Sequence, residues 1–301
     1  AADSFGAREA VAVRQETVDS AGDAGVSAEG KIADVIAAAA DVFTRALVPA
    51  RTSWYVVFAR DRIVLAYRDS SRGAAAIDST NWWKVLQRRG VRIGRAEPAS
   101  GPAGYRALLV MQLAETHYHQ PKLGDKLLAS SRRSVRPNEA ALVAALDSAA
   151  LDYIWVHESR ARAAGLRYMR LPHEIDLGEL ADSALYAAVD VTLPAAPSAD
   201  TVPSARRDTA RVADTLRVRG APIVYGVSIL NDAPRPRYAE RFLRFLLSDD
   251  GRRVLEGAHL DVLPKPVAVG TNVPAAILRS LGDAAPSVPA ADTTAAPPPR
   301  R

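Results

Sequence analysis

The stretch Ser53–Arg68, SWYVVFARDRIVLAYR, restricts more than any other how this chain can fold. Two runs of β-branched and aromatic residues, each long enough for a strand, flank the charged residues 60–62. This pattern suits a segment that leaves one domain and enters another, with the charged residues near the cleft between the domains. The alternative is two strands, 55–58 and 63–67, joined by a turn at the charged residues.

The rest of the chain alternates short β-rich runs with helical patterns, which favours an α/β fold with mostly parallel sheets. Leu151–Val156 and Ala221–Ile229 are apolar on both faces, as is typical of buried parallel strands. Helices are predicted over Gly101–His119 and Arg136–Ala150, each with a proline near its start. The further predicted elements are strands at Ala10–Glu16, Ile32–Ala40 and Val91–Glu97 and helices at Asn81–Gly90 and Arg237–Ala258.

Composition excludes several classes of function. The chain has no cysteine, so disulfides and thiolate metal ligands are absent. The formal net charge of +5 is spread along the sequence rather than gathered in a basic arm, so we expect no nucleic-acid partner. Neither a G-x-x-x-x-G-K-[ST] loop nor a G-x-G-x-x-G fingerprint occurs. We therefore expect no cofactor and no metal site.

One predicted helix start could bind a small anion. In SVRPNEAAL, at Ser134–Leu142, the free backbone N–H groups of a helix start lie beside Arg136 and Asn138. An ordinary capped helix explains the same residues. The segment is therefore a candidate anion site only in combination with other evidence.

A second candidate is catalytic. His157, Glu158 and Ser159 follow a predicted buried strand at its carboxyl end, which is where ligands bind in open α/β sheets. These three residue types could form a hydrolase site. The chain has no G-x-S-x-G nucleophile elbow, however, and we expect that the protein is not an enzyme.

Five segments, in order, resemble the tungstate- and molybdate-binding proteins of ABC importers, the WtpA-like branch of the ModA group. The resemblance extends from about Ala10 to about Leu281, and the closing AERFLRFLLSDDGRRVLEGAHLDVLP is similar to the last helices of many type II periplasmic binding proteins. The five segments are Trp54–Tyr67, Pro102–Tyr118, Arg136–Ser159, Leu171–Leu177 and Ala221–Ile229.

The resemblance implies a type II periplasmic-binding-protein fold, with two lobes joined by a two-strand hinge and a tetrahedral oxyanion in the cleft. Lobe one would comprise residues 1–66 and 224–282, lobe two residues 67–223, and 283–301 would be a disordered tail rich in Ala and Pro. The implied function is that of a monomeric substrate-binding component of an ABC importer. It would bind molybdate, tungstate or a similar oxyanion outside the cytoplasmic membrane and deliver it to a membrane permease.

The resemblance also implies ligand contacts. Tyr225 matches a tyrosine that contacts the oxyanion in the family, and residues 136–139 match the helix start that lines the site. At Ala39, or a neighbouring alanine, the family typically has a serine that donates its hydroxyl, so affinity for molybdate would be weakened here. The implied ligand-binding residues are Tyr225, Arg136, Pro137, Asn138, Glu139 and Ala39.

The family's first strand and its Ala-Gly-Ser loop precede the part that resembles Val11–Ala24. We expect an N-terminally incomplete copy, from either a mis-assigned start or a degenerate paralogue. Residues 1–16 in the place of the first strand would contradict that expectation. A degenerate or sensory module that keeps the fold without tight oxyanion binding is the alternative function.

Overall fold

A computed structural model describes residues 1–16, 33–40, 43, 47–194 and 215–282. The predicted tail, 283–301, lies outside these residues. The chain divides into two compact units: unit 1 is formed by Ala1–Arg60 and Ile223–Arg301, and unit 2 by Asp61–Pro222. The first change of unit falls inside the charged interruption and not after residue 66, because Ile63–Tyr67 pairs with strands of unit 2.

Eleven strands and ten α-helices are present in the described part of the chain. The strands are β1 (Val35–Ala39), β2 (Trp54–Arg60), β3 (Ile63–Tyr67), β4 (Ile93–Ala96), β5 (Val135–Arg136), β6 (Tyr153–His157), β7 (Arg167–Arg170), β8 (Asp190–Pro194), β9 (Thr215–Arg219), β10 (Val224–Ile229) and β11 (Asp261–Gly270). The helices are α1 (Ala2–Glu9), α2 (Trp82–Leu86), α3 (Pro102–His117), α4 (Leu123–Ser131), α5 (Glu139–Asp147), α6 (Glu158–Ala163), α7 (Ser183–Tyr186), α8 (Pro236–Leu246), α9 (Asp249–Gly257) and α10 (Ala275–Leu281). None of these helices is long and apolar enough to cross a membrane.

Unit 1 is built on a four-stranded sheet in the order β1-β10-β2-β11, and all of its pairings are antiparallel. Strand β2 leaves the unit and β10 returns to it, so these neighbours run in opposite directions. Because of this, the predicted predominance of parallel strands is wrong for unit 1. A core of residues from β2, β10 and α8–α10 covers one side of the sheet.

Helix α1 is a feature of unit 1 that the sequence pattern did not indicate. Phe5 is buried and packs edge-to-face on Phe242, with ring centroids 5.2 Å apart. The strand predicted at Ala10–Glu16 is wrong: Ala10 ends α1 in a left-handed conformation, and residues 11–16 have no regular structure. The apolar side chains that suggested a strand have no sheet to pack on, and Val13 is 37% exposed.

Unit 2 contains a five-stranded mixed sheet in the order β5-β4-β6-β3-β7 and a separate β8-β9 ribbon. Strands β5, β4 and β6 are parallel to one another, whereas β3 and β7 are antiparallel to their neighbours. Helix α5 packs on one face of the sheet through Leu142 and Leu146. Trp155 of β6 contacts Trp82 of α2 edge-to-face, with ring centroids 5.5 Å apart. The predicted α/β class is confirmed, but parallel pairing is restricted to three adjacent strands.

Local signals placed most other elements correctly. Helix α3 has Pro102 in its first turn as predicted, and α5 starts after Asn138, whose side chain accepts a hydrogen bond from the Ala141 N–H at 3.0 Å. The helical pattern predicted over Arg237–Ala258 is confirmed as two helices, α8 and α9. Ser248 caps the second of these by accepting from Gly251 N–H at 3.3 Å, which interrupts the helical run.

Candidate functional site

The three parallel strands of unit 2 end side by side, at Arg136 in β5, Ala96 in β4 and His157 in β6. Each strand is followed by a helix: α5, α3 and α6 respectively. In open α/β sheets ligands bind outside the carboxyl ends of such strands, where helix starts present free N–H groups. We call this region, residues 95–106, 136–139 and 157–159, the carboxyl edge.

A relay of three hydrogen-bonded side chains, two of them buried, crosses the carboxyl edge. Arg106 Nη1 lies 2.9 Å from His157 Nε2, and His157 Nδ1 lies 3.1 Å from Glu139 Oε1. A guanidinium can only donate, so Nε2 of His157 accepts and its Nδ1–H donates to the carboxylate. The backbone N–H of His157 also donates to Glu139 Oε1, at 2.7 Å. The relay therefore ties α3, β6 and the start of α5 together.

The relay keeps Glu139 ionised. Burial by itself raises the pKa of the Glu139 carboxyl group, but the interactions with His157 and the charge of Arg106 outweigh burial. The pKa of Glu139 therefore lies below its ordinary value, and the positive charge of the buried Arg106 is balanced by the negative charge of a partly exposed carboxylate.

The neighbouring residues Glu158 and Ser159 have different partners. Arg170 donates to both oxygens of Glu158, at 2.9 and 2.6 Å, and Arg62 Nε lies 3.3 Å from Oε2. Ser159 Oγ donates to Asp61 Oδ2 at 2.5 Å. The Ser159 hydroxyl is therefore engaged by Asp61, and His157 by Arg106 and Glu139. The structure does not assemble the serine and histidine as the nucleophile and base of a hydrolase.

These contacts also explain the charged residues after β2. Asp61 is 3% exposed and Arg62 is 8% exposed, so the charged centre of Ser53–Arg68 is buried and not exposed to solvent. Asp61 accepts from the N–H and the hydroxyl of Ser159, and Arg62 lies between Glu158 and Asp176. The charges are tolerated because each is paired on the unit 2 side.

Arg95 is the second buried arginine of the carboxyl edge. Arg95 is 9% exposed. Its Nη1 donates to the backbone carbonyl of Ala96 at 3.2 Å, and its Nε has no hydrogen-bond partner. Neither Arg95 nor Arg106 is among the site residues that the sequence indicated. A lone arginine inside an apolar strand or helix pattern is the signal that could have indicated them, since unpaired arginines are rarely buried.

The predicted ligand-binding residues fall into two sets. Arg136, Pro137, Asn138 and Glu139 lie together in unit 2, and the Arg136 carbonyl accepts from the N–H of Glu97 at 2.8 Å. Ala39 and Tyr225 lie in unit 1 and are directly paired between β1 and β10. A register shift follows Tyr225, where β10 pairs with β2.

The described residues contain no group of three or more His, Cys, Asp or Glu side chains placed to hold a metal ion. The carboxyl edge offers hydrogen-bond donors at two helix starts and the positive charges of Arg95 and Arg106. Such a set of groups suits the binding of an anion.

Comparisons with known proteins give a consistent result. Residues 1–260 match a family described as bacterial extracellular solute-binding protein. The chain is 32% identical over 268 residues to the molybdate/tungstate-binding protein WtpA of Pyrococcus abyssi, which covers 81% of this chain and 72% of that protein.

Two solved structures are similar in fold. The periplasmic molybdate-binding protein of Azotobacter vinelandii has a TM-score of 0.51 and 18% identity, with 88% of this chain and 93% of that chain covered. Iron-bound HitA from Pseudomonas aeruginosa has a TM-score of 0.53 and 16% identity, with 87% and 80% covered. The predicted α/β type II periplasmic-binding-protein fold is thereby confirmed.

Proposed function

The chain belongs to the bacterial extracellular solute-binding protein family, and from this premise we propose that it binds molybdate, tungstate or a similar tetrahedral oxyanion for an ABC importer. The main structural support for an oxyanion ligand is the carboxyl edge of unit 2. There the starts of α3 and α5 follow strands that end beside two buried arginines, Arg95 and Arg106. The name of the Pyrococcus abyssi relative supports the same ligand class.

The binding we propose involves no chemical change in the ligand. An oxyanion that leaves water exchanges its hydration shell for fixed donors, and each hydrogen bond to a charged group contributes about 1.5–3 kcal/mol. Helix starts add the positive end of the helix dipole. The family and the relative are described as solute-binding and molybdate/tungstate-binding proteins, which supports a role in binding and not in catalysis.

Specific contacts are part of the proposal. We assign Arg136, Pro137, Asn138 and Glu139 in unit 2 to the ligand: the backbone N–H groups at the start of α5 would donate, Pro137, which has no N–H, would only line the site, and Glu139 would position His157. Tyr225 in unit 1 would donate its hydroxyl. Ala39 has no hydroxyl to donate, and this single observation favours the alternative of a degenerate or sensory module that binds oxyanions weakly.

The proposal includes a place of action and a partner. The protein would work as a monomer in the periplasm or at the outer face of the cytoplasmic membrane, and would pass its ligand to an ABC permease. The family description, which names extracellular proteins, supports this location.

Calorimetric titration of the full chain with molybdate, tungstate, sulfate and phosphate tests the function. We expect one molybdate or tungstate per chain. Tyr225→Phe should weaken binding by roughly ten- to a hundredfold, the value of one hydrogen bond to a charged group. Tyr238→Phe is the matched control, because Tyr238 is 44% exposed on α8. If none of the four oxyanions binds, the importer function is wrong and the degenerate or sensory module is favoured.

A further inference from the structure

The two buried arginines of the carboxyl edge differ in what balances their charge. Arg106 is 8% exposed and is linked through His157 to the carboxylate of Glu139. Arg95 is 9% exposed, and its hydrogen bond goes to a neutral backbone carbonyl. No carboxylate of the described residues lies within 4.0 Å of the Arg95 guanidinium nitrogens.

A buried cation without a counter-charge is costly. Desolvation of a charged group costs several kcal/mol unless a partner compensates for it, and removal of one partner of a buried pair has a similar effect. Burial lowers the pKa of Arg95, although the charge of Glu97 acts in the opposite direction. A guanidinium nevertheless stays protonated in proteins. The structure therefore keeps at this position a buried positive charge that no carboxylate of the described residues pairs with directly, and a bound anion could pair with it.

The position of Arg95 places that charge at the carboxyl edge. Its Nη1 is 3.2 Å from the carbonyl oxygen of Ala96, the last residue of β4. The first turn of the sixteen-residue helix α3 lies against the same end of β4: a Cβ atom on Gly104 would be 2.5 Å from the Glu97 carbonyl oxygen. The guanidinium and the positive end of α3 therefore meet at the end of one strand.

The fold alone does not determine the charge of the ligand. HitA, which has a similar fold, was solved with iron bound, whereas the Azotobacter vinelandii protein of similar fold is a molybdate-binding protein. Side chains of the individual protein must make that selection.

We propose that Arg95 makes this protein selective for doubly negative oxyanions, because the ligand supplies the negative counter-charge that the buried guanidinium lacks. The inference rests on the proposed function and adds to it the residue and the ligand charge. A tetrahedral dianion should bind much better than a tetrahedral monoanion of nearly the same size. A metal cation should not bind at this site.

Tungstate and perrhenate provide the test, since both are tetrahedral oxyanions of similar size and they carry two and one negative charges. Their affinities are measured by calorimetry for the full chain, for Arg95→Gln and for Arg95→Lys. Arg89→Gln is the matched control, because it removes the same charge from an exposed position of unit 2. Each variant is also unfolded thermally without ligand.

The wild type should prefer tungstate to perrhenate strongly. Arg95→Gln should lose roughly thirtyfold in tungstate affinity, which corresponds to one charge-assisted hydrogen bond, and much less in perrhenate affinity. Arg95→Lys should keep the preference, and Arg89→Gln should leave both affinities within about twofold. Without ligand, Arg95→Gln should unfold at the same or a higher temperature than the wild type, because it removes a buried unpaired charge.

Each contrary result is distinct. If the wild type binds neither anion, the proposed function fails. If the wild type binds both anions equally well, or if Arg95→Gln binds tungstate as the wild type does, the role of Arg95 is wrong while oxyanion binding stands. An equal loss for both anions together with a lower unfolding temperature would show a purely structural role. If Arg95→Gln does not fold, the tungstate preference of the wild type and of Arg95→Lys decides the question.

Discussion

The two units bury different kinds of polar group. In the described part of unit 1 the fully buried polar side chains are two hydroxyls, Thr52 and Ser228, which hydrogen-bond to each other at 2.8 Å. Every buried charged side chain of the described residues lies in unit 2. These charged residues are Asp61, Arg62, Arg95, Arg106, Asp152, Glu158 and Asp176.

This difference separates two sources of stability. Unit 1 relies on apolar burial and neutral hydrogen bonds, and its ion pairs are exposed to solvent, as Arg8–Asp250 is, or partly exposed, as Arg60–Asp261 is. Unit 2 retains charges that cost desolvation energy, which is reasonable where a charged ligand must be bound. The comparison predicts that substitutions and pH act strongly on unit 2 and weakly on unit 1.

Glu158→Gln should have the largest effect. It removes the charge that balances Arg170 and the buried Arg62, so unit 2 should lose about 3 kcal/mol in free energy of unfolding. Tryptophan fluorescence in urea measures this loss, since Trp82, Trp83 and Trp155 all lie in unit 2. A loss below about 1 kcal/mol would mean that the buried network does not stabilise the unit.

Asp176→Asn should act in the opposite direction and depend on pH. Burial raises the pKa of Asp176 to about 6, although the Gly178 N–H and Arg62 act against burial. Between about pH 4 and pH 6 the folded protein therefore binds more protons than the unfolded chain, so stability falls as the pH rises through this range. Replacing Asp176 with Asn should stabilise unit 2 by about 2 kcal/mol at pH 8 and hardly at all at pH 4.

Urea unfolding of Asp176→Asn and the wild type at both pH values checks this expectation. The stabilisation should appear only above the pKa of Asp176. An equal effect at pH 4 and pH 8 would contradict the assignment of the raised pKa to this carboxyl group.

Ser228→Ala in unit 1 should cost less, about 1 kcal/mol, because it removes a neutral hydrogen bond and leaves Thr52 with the carbonyl of Trp54. The loss should be the same at pH 4 and pH 8. A Thr52→Val/Ser228→Ala double variant should cost less than the sum of the two single changes, as expected for hydroxyls that share a bond.

Asp250→Asn should have the smallest effect. Asp250 binds Arg8 and Arg253 at the surface, and exposed pairs contribute less than about 1 kcal/mol. Thermal unfolding in low and high salt measures the effect, which should disappear in high salt. A loss of unfolding free energy as large as that expected for Glu158→Gln would contradict the conclusion that charged side chains matter less for stability in unit 1 than in unit 2.

Sequence patterns identified elements whose signals are local. Strand β6 was indicated by the apolar residues of Leu151–Val156, and α3 by Pro102 near its start. Helix α1 was missed because Phe5 is fixed by Phe242, which is more than two hundred residues away in the chain. Periodicity in a short window cannot indicate such a contact.

The candidate site was found only in part for the same reason. His157 and Glu139 were each indicated by their position, but they were assigned to different hypotheses. The structure shows that they share a hydrogen bond across 18 residues and that Arg106, 51 residues from His157, completes the relay. No pattern in one sequence links three residues on three separate elements.

Hydrogen exchange with and without saturating tungstate tests most directly the claim that the charged carboxyl edge of unit 2 binds the ligand. We expect the backbone amides of 101–106 and 138–142, at the starts of α3 and α5, to exchange more slowly when tungstate is bound. The amides around Leu151, at the opposite end of β6, should be unchanged. Saturating binding that leaves 101–106 and 138–142 unprotected would contradict the account.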